Sequence, residues 1–96
     1  MKWFRFYNSA IRDPKVASLS DKDFRLWVEL LSVASENDGE IPSEDELKRV
    51  LRRRLDYLKG GLKRLLKAGL VDTYGGRYRP HNWDKYQYKS DSTPRS

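Results

Sequence analysis

The strongest periodic pattern in the chain predicts a helix over residues 21–37, because its apolar side chains recur at three- and four-residue spacing. They cover most of the helix circumference and comprise Phe24, Leu26, Trp27, Val28, Leu30, Leu31, Val33 and Ala34. Ser20 and Asp23 resemble a capping box at its start, with Asp23 in the position where Glu is usual. A helix that is apolar over so much of its surface is expected to lie at the centre of the core.

Two shorter helical patterns follow, and three consecutive arginines at residues 52–54 separate them. Ser43 and Glu46 have the spacing of a full capping box, so the first of these helices is predicted to start directly after Ser43. Apolar residues in helical spacing then continue from Leu55 to Gly69, a residue suited to end a helix. The pattern predicts two helices joined by a tight turn.

Two alternatives to this turn remain open at the level of the sequence. One is a single helix over residues 44–68, and the other is a short coiled coil along the same segment, since several leucines satisfy a heptad spacing. Gly60 and Gly61 in the middle of such a helix would cost ~2 kcal/mol relative to alanine. The helix-turn-helix interpretation is therefore favoured.

The clearest local signal is a β-hairpin, predicted where two β-prone runs within residues 70–80 flank Gly75 and Gly76. At the other end of the chain, the aromatic residues 3–7 predict a strand-like arm. We expect this arm to pack near Trp83 over the core, because an unpartnered aromatic arm would expose too much apolar surface.

Together these elements predict a mainly α fold with a small β component, namely a winged helix-turn-helix. It would consist of a three-helix core, the hairpin as its wing, and the N-terminal aromatic arm. Residues 1–88 are predicted to form this single domain, as the length of 96 residues allows. Residues 89–96 are polar and predict a linker or tail that leads to a further C-terminal part.

The net charge of +6 is distributed very unevenly along the chain. Residues 48–67 contain nine Lys and Arg residues but a single acid, whereas residues 13–47 contain three bases and ten acids. An ordinary surface helix intersperses both signs, so a basic segment of this kind indicates contact with phosphates. The alternative interpretation is a solvated helix face.

Most of the basic segment coincides with the predicted turn and third helix, and further arginines lie on the wing. In a winged helix these are the elements that contact the major groove and the neighbouring phosphates. The residues that we predict to contact DNA are Arg49, Arg52, Arg53, Arg54, Tyr57, Lys59, Lys63, Arg64, Arg77 and Arg79.

Several function classes are excluded by composition. The chain has no cysteine, so disulfides, zinc fingers and cysteine nucleophiles are ruled out, and a reducing compartment is expected. Its one histidine, His81, rules out a multi-histidine metal site, and we expect it to be structural. No apolar run approaches the ~20 residues that a membrane span needs. We predict no catalytic site, no metal and no cofactor.

The chain resembles the N-terminal winged-helix domain of phage and prophage replication proteins, the replisome-organiser or DnaD-like group. The most specific parts of the resemblance are Asp13-Pro14-Lys15 and the segment from His81-Asn82-Trp83-Asp84 to Gln87. The chain departs from the family where the third helix starts, because Arg54 stands where Ser or Thr is common. The glycine pair 60–61 is also unusual for the family.

The resemblance implies a module that binds double-stranded origin DNA in the cytoplasm of a bacterial host. It further implies a separate C-terminal part that engages a helicase or its loader. A homo-oligomer is a separate expectation, because aromatic arms of this kind can swap between subunits. Two alternatives remain open: a winged helix that mediates protein interaction or oligomerisation, and a transcription regulator, which the fold alone does not distinguish from an initiator.

Overall fold

The computed structural model describes residues 12–83, and within them four helices precede a two-stranded antiparallel hairpin. In chain order these elements are α1 (Pro14–Ala17), α2 (Asp21–Glu36), α3 (Glu44–Leu51), α4 (Leu55–Lys67), β1 (Val71–Tyr74) and β2 (Arg77–Pro80). The prediction of a mainly helical domain with a small β component is confirmed. The predicted N-terminal arm, its packing near Trp83 and the tail over 89–96 involve residues outside the described range.

The long central helix α2 is capped at both ends by its own sequence. The Ser20 hydroxyl oxygen accepts a hydrogen bond from the Asp23 backbone N–H at 3.2 Å. At the other end, the Gly39 N–H donates to the Ala34 carbonyl at 2.7 Å, with Gly39 at φ +88°, a conformation that glycine adopts freely. Several of its apolar side chains are fully or nearly fully buried, including Leu26, Leu30 and Ala34. The predicted central position of this helix is confirmed.

One apolar core joins the helices to the hairpin. Its buried members are Val16, Leu26, Trp27, Leu30, Leu31, Val33, Ala34, Ile41, Leu47, Leu58, Leu62, Leu65, Leu70, Val71 and Trp83. Leucines of α4 and α2 supply most of the fully buried side chains. Trp83 is 5% exposed and so belongs to the core.

The chain turns sharply between α3 and α4, so neither the single long helix nor the coiled coil forms. Arg52 has φ +55° and ψ +43°, the left-handed conformation that ends α3. Arg54 is extended and occupies the N-cap position of α4, where its side chain makes no capping hydrogen bond. The predicted break at residues 52–54 is confirmed.

The glycine pair of α4 has one member that packing requires and one that it does not. A β-carbon built on Gly61 would overlap with the Leu26 side chain of α2. A β-carbon on Gly60 would meet only the Arg64 guanidinium, with the nearest nitrogen at 3.3 Å. Gly61 therefore allows α4 to pack closely against α2, whereas Gly60 has no such role.

We expect alanine at the two positions of this pair to change the free energy of unfolding in opposite directions. Gly61→Ala should lower the free energy of unfolding by about 1–3 kcal/mol, because Leu26 must move to admit the added methyl group. Gly60→Ala should raise it by up to about 1 kcal/mol, because alanine is the better helix former. Urea unfolding of both variants measures this difference, and two changes of equal sign and size would contradict the close packing at Gly61.

The hairpin is attached to the helices by the extended link between α2 and α3. β1 and β2 pair from Val71 with Pro80 onwards and turn at residues 75–76, as the sequence predicts. The Ile41 N–H of the link donates to the Tyr78 carbonyl at 2.9 Å, which adds an isolated bridge on the outer side of β2. Burial and a hydrogen bond to a carboxylate of α3 raise the pKa of Tyr78, so its hydroxyl stays protonated. The wing is therefore fixed against both α3 and the link.

Candidate nucleic-acid interface

One face of α4 is buried and the opposite face carries a row of lysines. The buried positions are Leu58, Gly61, Leu62 and Leu65. Lys59, Lys63 and Lys67 follow one another at a spacing of four residues and are all exposed. The predicted contact set contained Lys59 and Lys63 but not Lys67. Its helical spacing from Lys63 is the signal that identifies it.

Along the chain, the end of α3 and the turn carry further exposed cations. Arg49 lies in the last turn of α3, Arg52 ends that helix, and Arg54 precedes α4. All three are exposed, and the Arg54 side chain is 87% exposed with its Nε 3.6 Å from an Asp56 carboxylate oxygen. Within residues 12–83, Arg49 and Arg52 have no ion-pair partner, and neither do the lysines of α4.

The left-handed backbone conformation of Arg52 is unfavourable for stability, which points to a functional reason for an arginine at this position. A left-handed backbone conformation costs a residue with a β-carbon about 1–2 kcal/mol, which glycine would not incur. No hydrogen bond or ion pair of the Arg52 side chain within the described residues offsets this cost. Unfavourable backbone geometry of this kind concentrates at functional sites. The exposed guanidinium at this turn is consistent with a contact to a ligand.

Arg53 and Tyr57 are half-buried and have partners within the fold. The Arg53 guanidinium donates to the Glu29 carboxylate of α2 at 2.9 Å and lies over the Tyr57 ring, 5.6 Å from its centroid. The Tyr57 hydroxyl donates to the Lys22 carbonyl at 3.1 Å. The hydrogen bond to Glu29 raises the pKa of Arg53, so this arginine remains charged while it joins the turn to α2. Their contact with DNA stays a prediction, because a half-exposed arginine can pair with Glu29 and still reach a phosphate.

The Arg64 side chain links α4 to the start of α2. Its Nε and one terminal nitrogen donate to the two carboxylate oxygens of Asp23 at 2.7 and 2.9 Å. The Asp23 side chain is 7% exposed and the Arg64 side chain is 55% exposed. The hydrogen bond to Asp23 raises the pKa of Arg64. In the predicted capping box the Asp23 carboxylate would bond to its own helix, but here it binds this arginine.

The two arginines of the wing also have partners within the fold. Arg77 donates to the Glu40 carboxylate at 3.0 and 3.3 Å, and both side chains are exposed. Arg79 donates to the Gly39 carbonyl at 3.2 Å and so holds the loop that ends α2. His81 pairs with Asp72 across the hairpin at 2.9 Å, in accordance with its predicted structural role. A ligand that binds Arg77 on the wing must therefore compete with the Glu40 carboxylate for its guanidinium.

The ten predicted residues therefore fall into two groups. The exposed group without a strong internal partner comprises Arg49, Arg52, Arg54, Lys59 and Lys63. The group bound within the fold comprises Arg53, Tyr57, Arg64, Arg77 and Arg79. The exposed group and Lys67 follow one another from the end of α3 through the turn and along α4. This arrangement can bind the phosphates of a nucleic-acid backbone by charge, because a counterion atmosphere is released when cations approach them.

Comparison of the chain with protein-family models, curated proteins and solved structures found no match. In the part of the chain that the structure describes, no helix has both the length and the apolar character needed to cross a membrane. Within the same residues, no group of three acidic, histidine or cysteine side chains has the arrangement needed to hold a metal ion.

Proposed function

We propose that this chain is a winged helix-turn-helix module that binds double-stranded DNA without catalysing a reaction. In this proposal α4 is the recognition helix, the turn at residues 52–54 contacts the backbone, and the hairpin is the wing. The single observation that carries it is the row of exposed cations without strong internal partners, from Arg49 through the turn to Lys67. A row of this kind costs the protein stability through self-repulsion unless a polyanion binds it.

The order of the elements supports the same proposal. α2, an extended link, α3, a tight turn, α4 and a hairpin follow in the order of a winged helix, in which the third helix enters the major groove. The bridge between Ile41 and Tyr78 brings the link to the outer side of the hairpin. Close packing of α2 on α4 at Gly61 leaves the lysine face of α4 pointing away from the core.

The biological setting that we propose is replication, as part of a phage-type initiator or replisome organiser acting in the host cytoplasm. It is supported by the resemblance of Asp13-Pro14-Lys15 and of the segment that begins at His81 to that group. A helicase or helicase loader would be engaged through a further C-terminal part, and self-association at the origin would be expected. Footprinting of the bound sequence tests this setting, because protection at a promoter instead of an origin would favour a transcription regulator.

DNA binding itself is tested by titrating a short duplex with the protein at several salt concentrations. If four to six of the exposed cations contact phosphates, the logarithm of the binding constant should fall against that of the salt concentration with a slope of about −4 to −5. A slope near zero, or no binding at 50 mM salt, would contradict the proposal. The second outcome would favour the protein-interaction alternative.

A further inference from the structure

Arg64 differs from the other cations of α4 because half of its guanidinium is already held. The Nε and Nη2 atoms donate to Asp23, whose side chain is 7% exposed. The remaining nitrogen, Nη1, has no acceptor among the described residues. It lies over Gly60, at 3.3 Å from the position that a β-carbon would occupy there.

Gly60 lies between charged positions on the exposed side of α4. Lys63, Arg64 and Lys67 follow it by three, four and seven residues, which are the spacings that bring side chains to one face of a helix. A β-carbon at Gly60 would encounter nothing but the Arg64 guanidinium within 4 Å. Glycine at this position thus leaves a shallow notch beside the Nη1 atom, in the middle of the basic face.

We propose that Asp23, Gly60 and Arg64 form a phosphate-receiving notch in which Arg64 Nη1 donates to a DNA backbone oxygen and Asp23 is a positioning residue. This inference rests on the proposed function. A guanidinium fixed on one edge has already lost its side-chain freedom, so it binds a phosphate at a lower entropic cost than a free lysine does. The glycine lets the phosphate approach the helix surface without meeting a methyl group.

Whether Asp23→Asn strengthens or weakens DNA binding distinguishes the two possible roles of Asp23. Removing a negative charge beside a basic face should strengthen DNA binding if Asp23 acts by charge alone. If Asp23 instead positions Arg64, then Asp23→Asn should weaken binding by about three- to tenfold, because one phosphate contact is worth roughly tenfold in affinity at 0.1 M salt. Asp21→Asn is the matched control, an exposed acid in the same first turn with no contact to Arg64. It should leave affinity unchanged or slightly higher.

Two further variants keep the test decisive if Asp23→Asn does not fold. Arg64→Lys retains the charge but loses the fork that binds Asp23 on one edge and a phosphate on the other. Gly60→Ala fills the notch while favouring the helix, so a loss of affinity in this variant cannot come from unfolding. We expect each to weaken duplex binding by about three- to tenfold, equivalent to the loss of much of one phosphate contact.

The outcomes separate this inference from the proposed function. Duplex binding by the parent protein with the expected salt slope, together with unchanged affinity in Arg64→Lys and Gly60→Ala, would overturn the notch and leave the proposed function standing. Stronger binding by Asp23→Asn would overturn the positioning role. Absence of salt-dependent binding by the parent protein would overturn both.

Discussion

Removal of four exposed cations from the turn and α4 should weaken duplex binding by about three to four orders of magnitude at 0.1 M salt, since each lost phosphate contact costs roughly tenfold. The variant combines Arg52→Asn, Arg54→Ala, Lys59→Ala and Lys63→Ala. Asparagine is chosen at residue 52 because it tolerates the left-handed conformation better than alanine does. The same variant should lower the magnitude of the salt slope by about 3 to 4.

The structure indicates that this variant will fold. The four side chains are exposed, and their one ion pair within the described residues, Arg54 with Asp56, has a separation of 3.6 Å at the surface. Such a pair contributes at most about 1 kcal/mol. Arg53 is kept in the variant because its guanidinium holds Glu29 and packs on Tyr57. The melting temperature should therefore remain close to that of the parent.

A control of equal charge lies outside the helix-turn-helix. It replaces four exposed cations of the preceding segment by alanine, namely Arg12, Lys15, Lys22 and Arg25. We expect a loss of less than about tenfold, from the long-range field alone. If this control weakens binding as much as the turn and α4 variant does, then the DNA contact face does not lie on the turn and α4.

Replacement of Trp83 by alanine should lower the melting temperature by more than about 12 °C. Truncation of a buried tryptophan costs about 3–5 kcal/mol, and Trp83 is 5% exposed in the core. In a domain of this size, 1 kcal/mol corresponds to about 4–8 °C. If the parent domain has a stability of about 5 kcal/mol, the low end of the usual range, the Trp83→Ala variant should barely remain folded at 37 °C.

The matched control for Trp83→Ala is His81→Ala, two residues earlier in the chain. His81 is exposed and pairs with Asp72 at the surface of the hairpin. Its loss should change the free energy of unfolding by less than about 1 kcal/mol. If Trp83→Ala instead melts like the parent but loses affinity for the duplex, Trp83 is a DNA contact and its structural role is refuted.

Local sequence patterns predicted most of the secondary structure. The observed α2 ends one residue before the predicted boundary, and the Gly75-Gly76 turn forms the hairpin where it was expected. These signals depend on residues close to one another in the chain. Ser20, for example, caps α2 by accepting a hydrogen bond from the backbone N–H three residues later. The bridge from Ile41 to Tyr78 has no such local signal, because its two residues lie 37 positions apart.

The candidate site was predicted less completely, because the ion pairs that hold several of its cations join residues far apart in the sequence. Arg53 and Glu29 are separated by 24 residues, Arg77 and Glu40 by 37, and Arg64 and Asp23 by 41. A run of basic residues indicates where positive charge accumulates along the chain. It carries no information about which cations meet a carboxylate once the helices pack.

By itself the sequence determined the three longer helices α2, α3 and α4, where the chain turns between them, and that residues 48–67 carry the positive charge. It did not predict the short helix α1. Only the tertiary structure decided which of those cations remain available to a ligand. The physical reason is the close approach of α2 and α4, which the absence of a side chain at Gly61 permits. That approach brings Asp23 within hydrogen-bond distance of Arg64, and it leaves the lysine row of α4 on the outer face.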